Sequence, residues 1–176
     1  MTFNGSFNGS TATQPRRPHA LRPGGGEPTW FLNCLSRTLA GREHTAGRLG
    51  VVEQVVDRNG QPPPHVHHGE DESFYVLEGD VTITVGEDSF AAPAGSFVFC
   101  PRDVPHSFSV DSERARLLVI LTPGGFERFF EEMGEPAAWD DLPAPAAPDV
   151  GRIVSGAAGF GCEILLPRGE GKGLRS

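Results

Sequence analysis

Residues 60–72 read GQPPPHVHHGEDE, a run in which three prolines lead into closely spaced histidines and acids. The prolines hold the chain extended as it enters His65. Alternate side chains of an extended segment point the same way, so His65 and His67 share one face. The sequence therefore predicts two neighbouring imidazoles, with the carboxylate of Glu72 at the start of the following strand.

A third imidazole lies further along the chain. His106 follows a Val-Pro pair and begins another strand-like run. Three histidines and one glutamate supply nitrogen and oxygen ligands, which suit Fe, Ni, Co, Mn, Cu or Zn. Four protein ligands leave one or two coordination positions free, as a catalytic metal requires. The predicted ligands of one divalent transition metal ion are therefore His65, His67, Glu72 and His106.

The rest of the sequence reads as short strands separated by tight turns. Glycine (23) and proline (16) are abundant, and many of them fall between apolar or alternating runs. Strands about 8–12 residues apart with turn signals between them are typical of a β-sandwich or barrel. The sequence predicts an all-β fold with strands at 30–35, 49–56, 72–77, 81–85, 96–100, 106–110 and 115–122, and a short strand from residue 90.

The spacing of these residues resembles the two motifs of the cupin superfamily. Residues 60–79 resemble the first motif, with four rather than five residues between the opening glycine and His65. Residues 86–106 resemble the second motif, although its usual closing asparagine would fall at Val110. The resemblance implies a double-stranded β-helix, the small jelly-roll barrel, and it implies the same four metal ligands.

The stretch after the barrel resembles a narrower group. Residues 122–136, which include the run TPGGFERFF, and residues 161–164 are similar to single-domain bacterial cupins of the quercetin 2,3-dioxygenase type. This likeness implies a dioxygenase that acts on a small aromatic or enolic hydroxyl compound. O2 would be the co-substrate, and Glu72 would act as catalytic base as well as ligand.

Two other functions stay open at this point. The same metal could serve only as a Lewis acid in an isomerase, cyclase or lyase, or the domain could bind a small molecule without converting it. No helix-turn-helix pattern accompanies the domain, so we do not expect a one-chain transcription regulator. The resemblance to cupins of this size also implies a homodimer.

The barrel is expected to carry one or two short C-terminal helices, and one helix is indicated directly after the last predicted barrel strand. The apolar residues of this helix recur at helical intervals and share one face, and Gly134 and Pro136 end the helix. These residues are Phe126, Phe129, Phe130 and Met133.

Three regions are predicted along the chain. Residues 1–28 contain a tandem Phe-Asn-Gly-Ser unit and are expected to be a disordered, low-complexity tail. Residues 29–167 are expected to form the barrel with its helix and a Pro/Ala-rich stretch at 136–150, either an ordered strap or a linker, and residues 168–176 a second tail.

Residues that share a strand face with the ligands predict an apolar pocket. Alternate positions after Glu72 and after His106 are apolar, and in a barrel such faces point inward. Plain core packing is the alternative role for these side chains. The predicted substrate pocket comprises Phe74, Val76, Phe97, Phe99 and Phe108.

Other polar residues near the ligands are not expected to bind the metal. His68 should point away from the face that His67 occupies, because neighbouring residues of an extended segment alternate. Glu70 and Asp71 read as solvated acids of a turn.

Composition excludes several classes of partner. The formal net charge of −8 is a poor match for a phosphate backbone, so no nucleic acid is expected. No apolar run approaches the ~18 residues of a membrane span, and no secretory signal is evident. The three cysteines are widely separated and lack CxxC spacing, so we expect buried reduced thiols and a cytoplasmic protein.

Overall fold

The computed structural model describes residues 18–166; the predicted C-terminal tail and residues 1–17 of the predicted N-terminal tail lie outside the described residues. Twelve strands and three helices occur in this part of the chain. In chain order they are β1 (Pro28–Phe31), β2 (Cys34–Ala40), α1 (Arg42–Thr45), β3 (Gly50–Asp57), β4 (His65–His67), β5 (Asp71–Glu78), β6 (Asp80–Val85), β7 (Asp88–Pro93), β8 (Phe97–Cys100), β9 (His106–Val110), β10 (Arg114–Thr122), α2 (Glu127–Met133), β11 (Glu135–Pro136), α3 (Val150–Gly159) and β12 (Cys162–Ile164).

The strands form two antiparallel sheets with one apolar core. The larger sheet has the order β11-β1-β2-β3-β10-β5-β8, and the smaller has the order β12-β4-β9-β6-β7. Strands that are neighbours in a sheet are often distant in sequence, as expected of a jelly roll. The predicted all-β double-stranded fold with short C-terminal helices is confirmed.

Alternation of buried and exposed side chains explains why these segments form strands. In β3 every second residue is buried, from Gly50 through Val52 and Gln54 to Val56. β10, which pairs with β3 along eight positions, alternates in the same way. Period-two alternation buries one face of each strand and leaves the other on the surface.

The first predicted strand, 30–35, is wrong in one respect, because a tight turn divides it into β1 and β2. Leu32 and Asn33 adopt φ values of 50° and 61°, which end the extended run. Asn33 tolerates this conformation well, and its amide holds the turn in place by donating to the carbonyl oxygens of Asn59 and Ala146, each at 3.1 Å. An apolar run alone could not reveal this turn.

Two glycines that flank the ligand run are required by close packing. A Cβ at Gly60 would lie 2.6 Å from Sγ of Cys34. Gly79 adopts φ +80°, and a Cβ there would lie 2.4 Å from the carbonyl oxygen of Arg114. Both positions therefore exclude larger residues, which accounts physically for the glycines at the two ends of residues 60–79.

The C-terminal part of the chain packs against β1 and β3 and adds apolar side chains to the core. α2 begins after Phe126, as the apolar spacing predicts, and Phe129 packs edge-on against Phe31 of β1 at 5.1 Å between ring centroids. The strap crosses β1, and Trp30 Nε1 donates to the carbonyl oxygen of Asp141. α3 follows the strap and leads into β12, which completes the smaller sheet beside β4.

Residues 18–27, which the sequence assigned to the tail, lie along β2 in the structure. The guanidinium of Arg37 donates to the carbonyl oxygen of Gly26 at 2.8 Å and forms an ion pair with Asp140 of the strap. The imidazole of His19 stacks on His44 at 3.8 Å between ring centroids.

Candidate metal centre

Strand pairing brings the predicted ligands together. His65 and His67 lie on β4, and His65 is paired directly with His106 of β9 in the same sheet. Glu72 lies on β5 in the opposite sheet. One potential donor atom from each of the four residues lies within 4.8 Å of the other three.

The three imidazoles converge on a single carboxylate oxygen. Oε2 of Glu72 lies 2.7 Å from Nε2 of His106, 3.4 Å from Nε2 of His67 and 3.7 Å from Nε2 of His65. The Nε2 atoms of all three rings therefore face the same small volume between the sheets. Such a convergent set of nitrogen and oxygen donors is typical of a transition-metal site.

The other nitrogen of each ring is held from behind. Nδ1 of His65 lies 2.9 Å from the carbonyl oxygen of Pro63, and Nδ1 of His106 lies 3.1 Å from that of Val104. Because a carbonyl can only accept, both Nδ1 atoms donate a proton to it. This orients the Nε2 atoms toward the cluster, where a metal ion would bind Nε2 of His65 and would replace the proton through which Nε2 of His106 contacts Glu72.

Nδ1 of His67 is paired differently, with a side-chain carboxylate. Its partner is Oε1 of Glu70, which lies on the far side of the ring from the convergent donors. The three ligand histidines are therefore all oriented by hydrogen bonds at Nδ1, two by the backbone and one by an acid.

The carboxylates favour positive charge at this site. Burial alone would raise the pKa of Glu72, but interactions with the three imidazoles hold that pKa well below its ordinary value. Burial alone would lower the pKa of His67, but the neighbouring carboxylates of Glu70 and Glu72 raise it to about 9. A bound divalent cation would satisfy the same attraction.

The residues fit a metal ion on a further observation. Nε2 of His67 is buried and makes no hydrogen bond, one of two such side-chain atoms among residues 18–166. Buried polar atoms without a partner are rare in folded proteins. A metal ion beside Glu72 would give this nitrogen a partner, so the cluster could hold one.

A small apolar cavity adjoins the cluster. Its volume is about 70 Å3, well below the ~300–1,000 Å3 of typical ligand pockets. Phe126 forms part of its wall and packs edge-on against the ring of His67 at 4.2 Å. The walls include His65, His67, Glu72, Gln54, Phe74, Phe108, Phe126, Phe129, Phe130, Ile153 and Cys162.

Comparison with known proteins agrees with this geometry. A cupin domain model matches residues 52–121. The quercetin 2,3-dioxygenase of Bacillus subtilis (strain 168) is 28% identical over 151 residues, which cover 85% of this chain and 45% of that protein. The chain contains a cupin domain. It spans about half or less of the length of the curated relatives that it matches.

Solved structures show the same fold for this cupin. An RmlC-like cupin from Shewanella frigidimarina NCIMB 400 has a TM-score of 0.55 at 19% identity, covering 63% of this chain and 96% of that one. A predicted oxalate decarboxylase from Thermotoga maritima has a TM-score of 0.55 at 17% identity, covering 59% and 98%. Among the described residues, no helix is long and apolar enough to cross a membrane.

The predicted pocket residues of the cupin fall into three groups. The structure places Phe74 and Phe108 in the cavity wall. Val76 is fully buried but lies outside that wall, paired with Leu117 in the core. The prediction that Phe97 and Phe99 line the pocket is wrong, because they are 59% and 52% exposed on the outer face of β8.

Register explains why the two phenylalanines of the cupin face outward. Cys100 pairs with Glu72, and Val98 pairs with Phe74, so these residues of β8 share the inward face of β5. Phe97 and Phe99 occupy the alternate positions and must point to the other side of the sheet.

Glu70 is the main polar residue of the site that the sequence assigned wrongly. It was predicted to be a solvated acid, but it is only 6% exposed and is bonded to His67. Asp71 instead forms an ion pair with Arg102 on the surface. His68 points away from the cluster, as predicted, and pairs with Asp103.

Gln54 is a polar residue of the cavity wall that the sequence did not single out. Its amide donates to Oγ of Ser36 at 3.3 Å, and both side chains are buried. The signal was present in β3, where a polar residue occupies an inward position between Val52 and Val56.

Proposed function

We propose that this cupin is a metal-dependent dioxygenase that acts on a small aromatic or enolic hydroxyl compound. The observation that carries the proposal is the orphaned Nε2 of His67, which faces the convergent donors next to an apolar cavity. The likeness to a quercetin 2,3-dioxygenase supports the reaction class.

The metal ligands proposed are His65, His67, Glu72 and His106. A divalent transition metal held there would lower the pKa of a coordinated hydroxyl group. Glu72 is the group of this chain placed to receive the released proton. It is buried, its pKa is held below the ordinary value, and its Oε2 lies at the centre of the donor cluster.

The aromatic walls suit a flat, mostly apolar ligand. Phe74 and Phe108 pack edge to face at 5.6 Å between ring centroids, next to the donor cluster. They would hold a planar ring and exclude water from the reacting atoms. Gln54 offers a buried amide in the same wall for a second polar group of the ligand.

The size of the cavity favours a compact substrate. About 70 Å3 leaves room for little more than the reacting part of a ligand unless the wall moves. Phe126, Phe129 and Phe130 form the part of the wall that is contributed by the C-terminal segment around α2. A larger cavity of about 260 Å3 lies beneath the strap, away from the ligands, and does not contribute to this site.

Oxygen uptake tests the proposal directly. The purified protein would be loaded in turn with Fe, Ni, Co, Mn, Cu or Zn and assayed with flavonols and with smaller enols and phenols. We expect substrate-dependent O2 consumption with at least one metal, and more rapid consumption with the smaller compounds. Absence of uptake across all metals and the whole panel would contradict a dioxygenase.

The other two functions are separated by simple controls. Turnover of a panel compound without oxygen would indicate Lewis-acid chemistry in an isomerase, cyclase or lyase. Ligand binding without any conversion would indicate a binding protein. The Glu72→Gln variant removes both the proposed base and one proposed ligand, so its metal content is measured with its turnover: lost turnover with the metal retained supports the role of base.

We also propose a cytoplasmic homodimer. All three cysteines are free and buried, which suits a reducing compartment. Light scattering on the purified full chain would measure the oligomeric state.

A further inference from the structure

One buried acid near the metal centre is not among its ligands. Glu70 is bonded through Oε1 to Nδ1 of His67, and it approaches that ring from the side opposite Glu72. The other two ligand imidazoles have neutral backbone carbonyls in the corresponding place, at Pro63 and Val104. His67 is therefore the one ligand of the set that is backed by a charge.

The surroundings of Glu70 in the described part of the chain provide no second interaction that would explain its burial. Its only side-chain partner there is His67, and no arginine or lysine forms an ion pair with it. Placing a carboxylate in a buried position is costly unless a specific partner compensates it. Glu70 is thus buried as the partner of His67 and is not a surface acid.

The contact has a direct consequence for the opposite nitrogen of the ring. A carboxylate at Nδ1 keeps one ring proton there, so a metal ion that binds the ring displaces the other proton and takes the Nε2 lone pair. That Nε2 is the buried atom without a hydrogen bond, 3.4 Å from Oε2 of Glu72. The Glu70 carboxylate and the unpartnered Nε2 therefore lie at the two ends of a single imidazole.

We propose that Glu70 is a positioning residue that acts through His67 on the metal. It fixes the orientation and the protonated nitrogen of the ring, and its charge makes Nε2 a stronger ligand than the other two histidines. Together with Glu72 it would supply two carboxylate charges near a divalent ion, one as a ligand and one behind the His67 ring. This inference rests on the proposed metal site but not on the oxygenase reaction.

The chain supplies a matched control next to this pair. His68 forms the same kind of contact through its Nδ1 with Oδ1 of Asp103, at 2.7 Å, but on the surface and away from the cluster. Asp103 adopts φ 64°, a conformation that asparagine tolerates well. Asp103→Asn therefore removes a carboxylate from a histidine that is not a ligand, with little disturbance of the backbone.

Metal affinity is the readout that distinguishes positioning from plain stability. Dissociation constants for Co2+ would be measured by competition with a chromophoric chelator for the wild type, Glu70→Gln, Glu70→Ala and Asp103→Asn. Loss of an outer-shell partner typically weakens binding by about 10–100-fold, which we expect for Glu70→Ala. Glu70→Gln keeps an acceptor of the same size without the charge and should fall between this variant and the wild type.

Asp103→Asn should bind Co2+ within about twofold of the wild type. The Co2+ absorption spectrum should also shift in Glu70→Gln, because the donor strength of His67 changes while the four ligands stay. If Glu70→Ala fails to fold, Glu70→Gln alone carries the test. Wild-type affinity and an unchanged spectrum in Glu70→Gln would overturn the inference, whereas failure of the wild type to bind Co2+ would overturn the metal site itself.

Discussion

Oε2 of Glu72 lies 2.7 Å from Nε2 of His106, although the two residues are 34 positions apart and belong to opposite sheets. The donor cluster is therefore a product of sheet packing and not of one local motif. Because folded interiors are closely packed, the two sheets hold this separation rigidly. A ligand removed from either sheet should disable the site without altering the rest of the barrel.

His106→Ala is predicted to abolish stoichiometric metal binding. Removal of a direct ligand should weaken affinity by more than the ~10–100-fold that loss of an outer-shell partner causes. Metal content after dialysis, measured by mass spectrometry, checks this. His68→Ala is the matched control, since His68 is half exposed and lies outside the cluster, and it should keep the wild-type metal content. Unchanged metal in His106→Ala would argue that the ion binds elsewhere.

The part of the metal centre that could be predicted from the residues themselves is the local part, whereas the convergence of His106 on Glu72 across the two sheets rested on the resemblance to the cupin motifs. His65 and His67 share a face through the period of an extended strand, and their distance from Glu72 is short in sequence. Glu70 escaped prediction because its burial is a tertiary effect. It lies in a recess that also contacts Phe126 and Phe160, far along the chain, and a turn acid next to Asp71 carries no mark of that surrounding.

Most strands of the fold could also be predicted from the sequence. The errors occur where both faces of a strand are apolar, so that either face could be the inward one. β8 contains apolar residues on both faces, so alternation alone could not say whether Phe97 and Phe99 or Val98 and Cys100 face the core. Pairing with Glu72 and Phe74 settles this, and pairing is a long-range property. α3 is likewise not evident from the sequence, since three of its ten residues are glycine, which disfavours a helix.

Phe126→Ala is predicted to destabilise the protein and to enlarge the cavity beside the metal. Phe126 is buried, stacks on Phe129 and packs against His67, so its truncation should cost about 3–5 kcal/mol. Chemical denaturation measures the loss, and the variant should admit bulkier aromatic ligands than the wild type does.

Phe99→Ala is the matched control for that change. The side chain is 52% exposed on the outer face, so its truncation should cost less than about 1 kcal/mol and leave ligand size preference unchanged. Equal losses in the two variants would contradict the placement of Phe126 in the wall and Phe99 on the surface.

Glu127→Ala is predicted to be strongly destabilising, although Glu127 is neither a proposed metal ligand nor part of the cavity wall. Its carboxylate is fully buried and accepts from the backbone N–H groups of Arg42 and Gly125, each at 2.6 Å. A fully buried donor left without a partner costs ~1–3 kcal/mol, so losing the partner of these two partly buried donors should cost about 2 kcal/mol or more. Thermal and urea unfolding measure this.

Glu131→Ala serves as the comparison for Glu127→Ala, because Glu131 is an exposed acid of the same helix whose hydrogen-bond donor among residues 18–166 is the hydroxyl of Thr38. A change within about 0.5 kcal/mol is expected there. Similar destabilisation in both variants would mean that the helix as a whole, and not the buried carboxylate, holds α1 in place.

The three buried thiols should make the folded protein unreactive towards thiol reagents, and they should lower its stability at alkaline pH. Burial raises the pKa of Cys34, Cys100 and Cys162 to about 12, from an ordinary value near 9. Because the thiolate is the reactive form, a chromogenic disulfide reagent at pH 8 should label no thiol of the folded chain within minutes and all three after denaturation. Rapid labelling of the native protein would contradict their burial.

The same shift has a definite sign in the pH dependence of unfolding. Above about pH 9 the unfolded chain releases its thiol protons while the folded chain retains them, so the unfolded state binds fewer protons. The contribution of the thiols to the free energy of unfolding should therefore be fully present below about pH 9 and should fall progressively as the pH rises towards 12. Urea denaturation between pH 7.5 and 10.5, on the wild type and on a variant with all three cysteines replaced by alanine, isolates this contribution. A slope that is equally steep in both proteins would assign the alkaline loss to other groups.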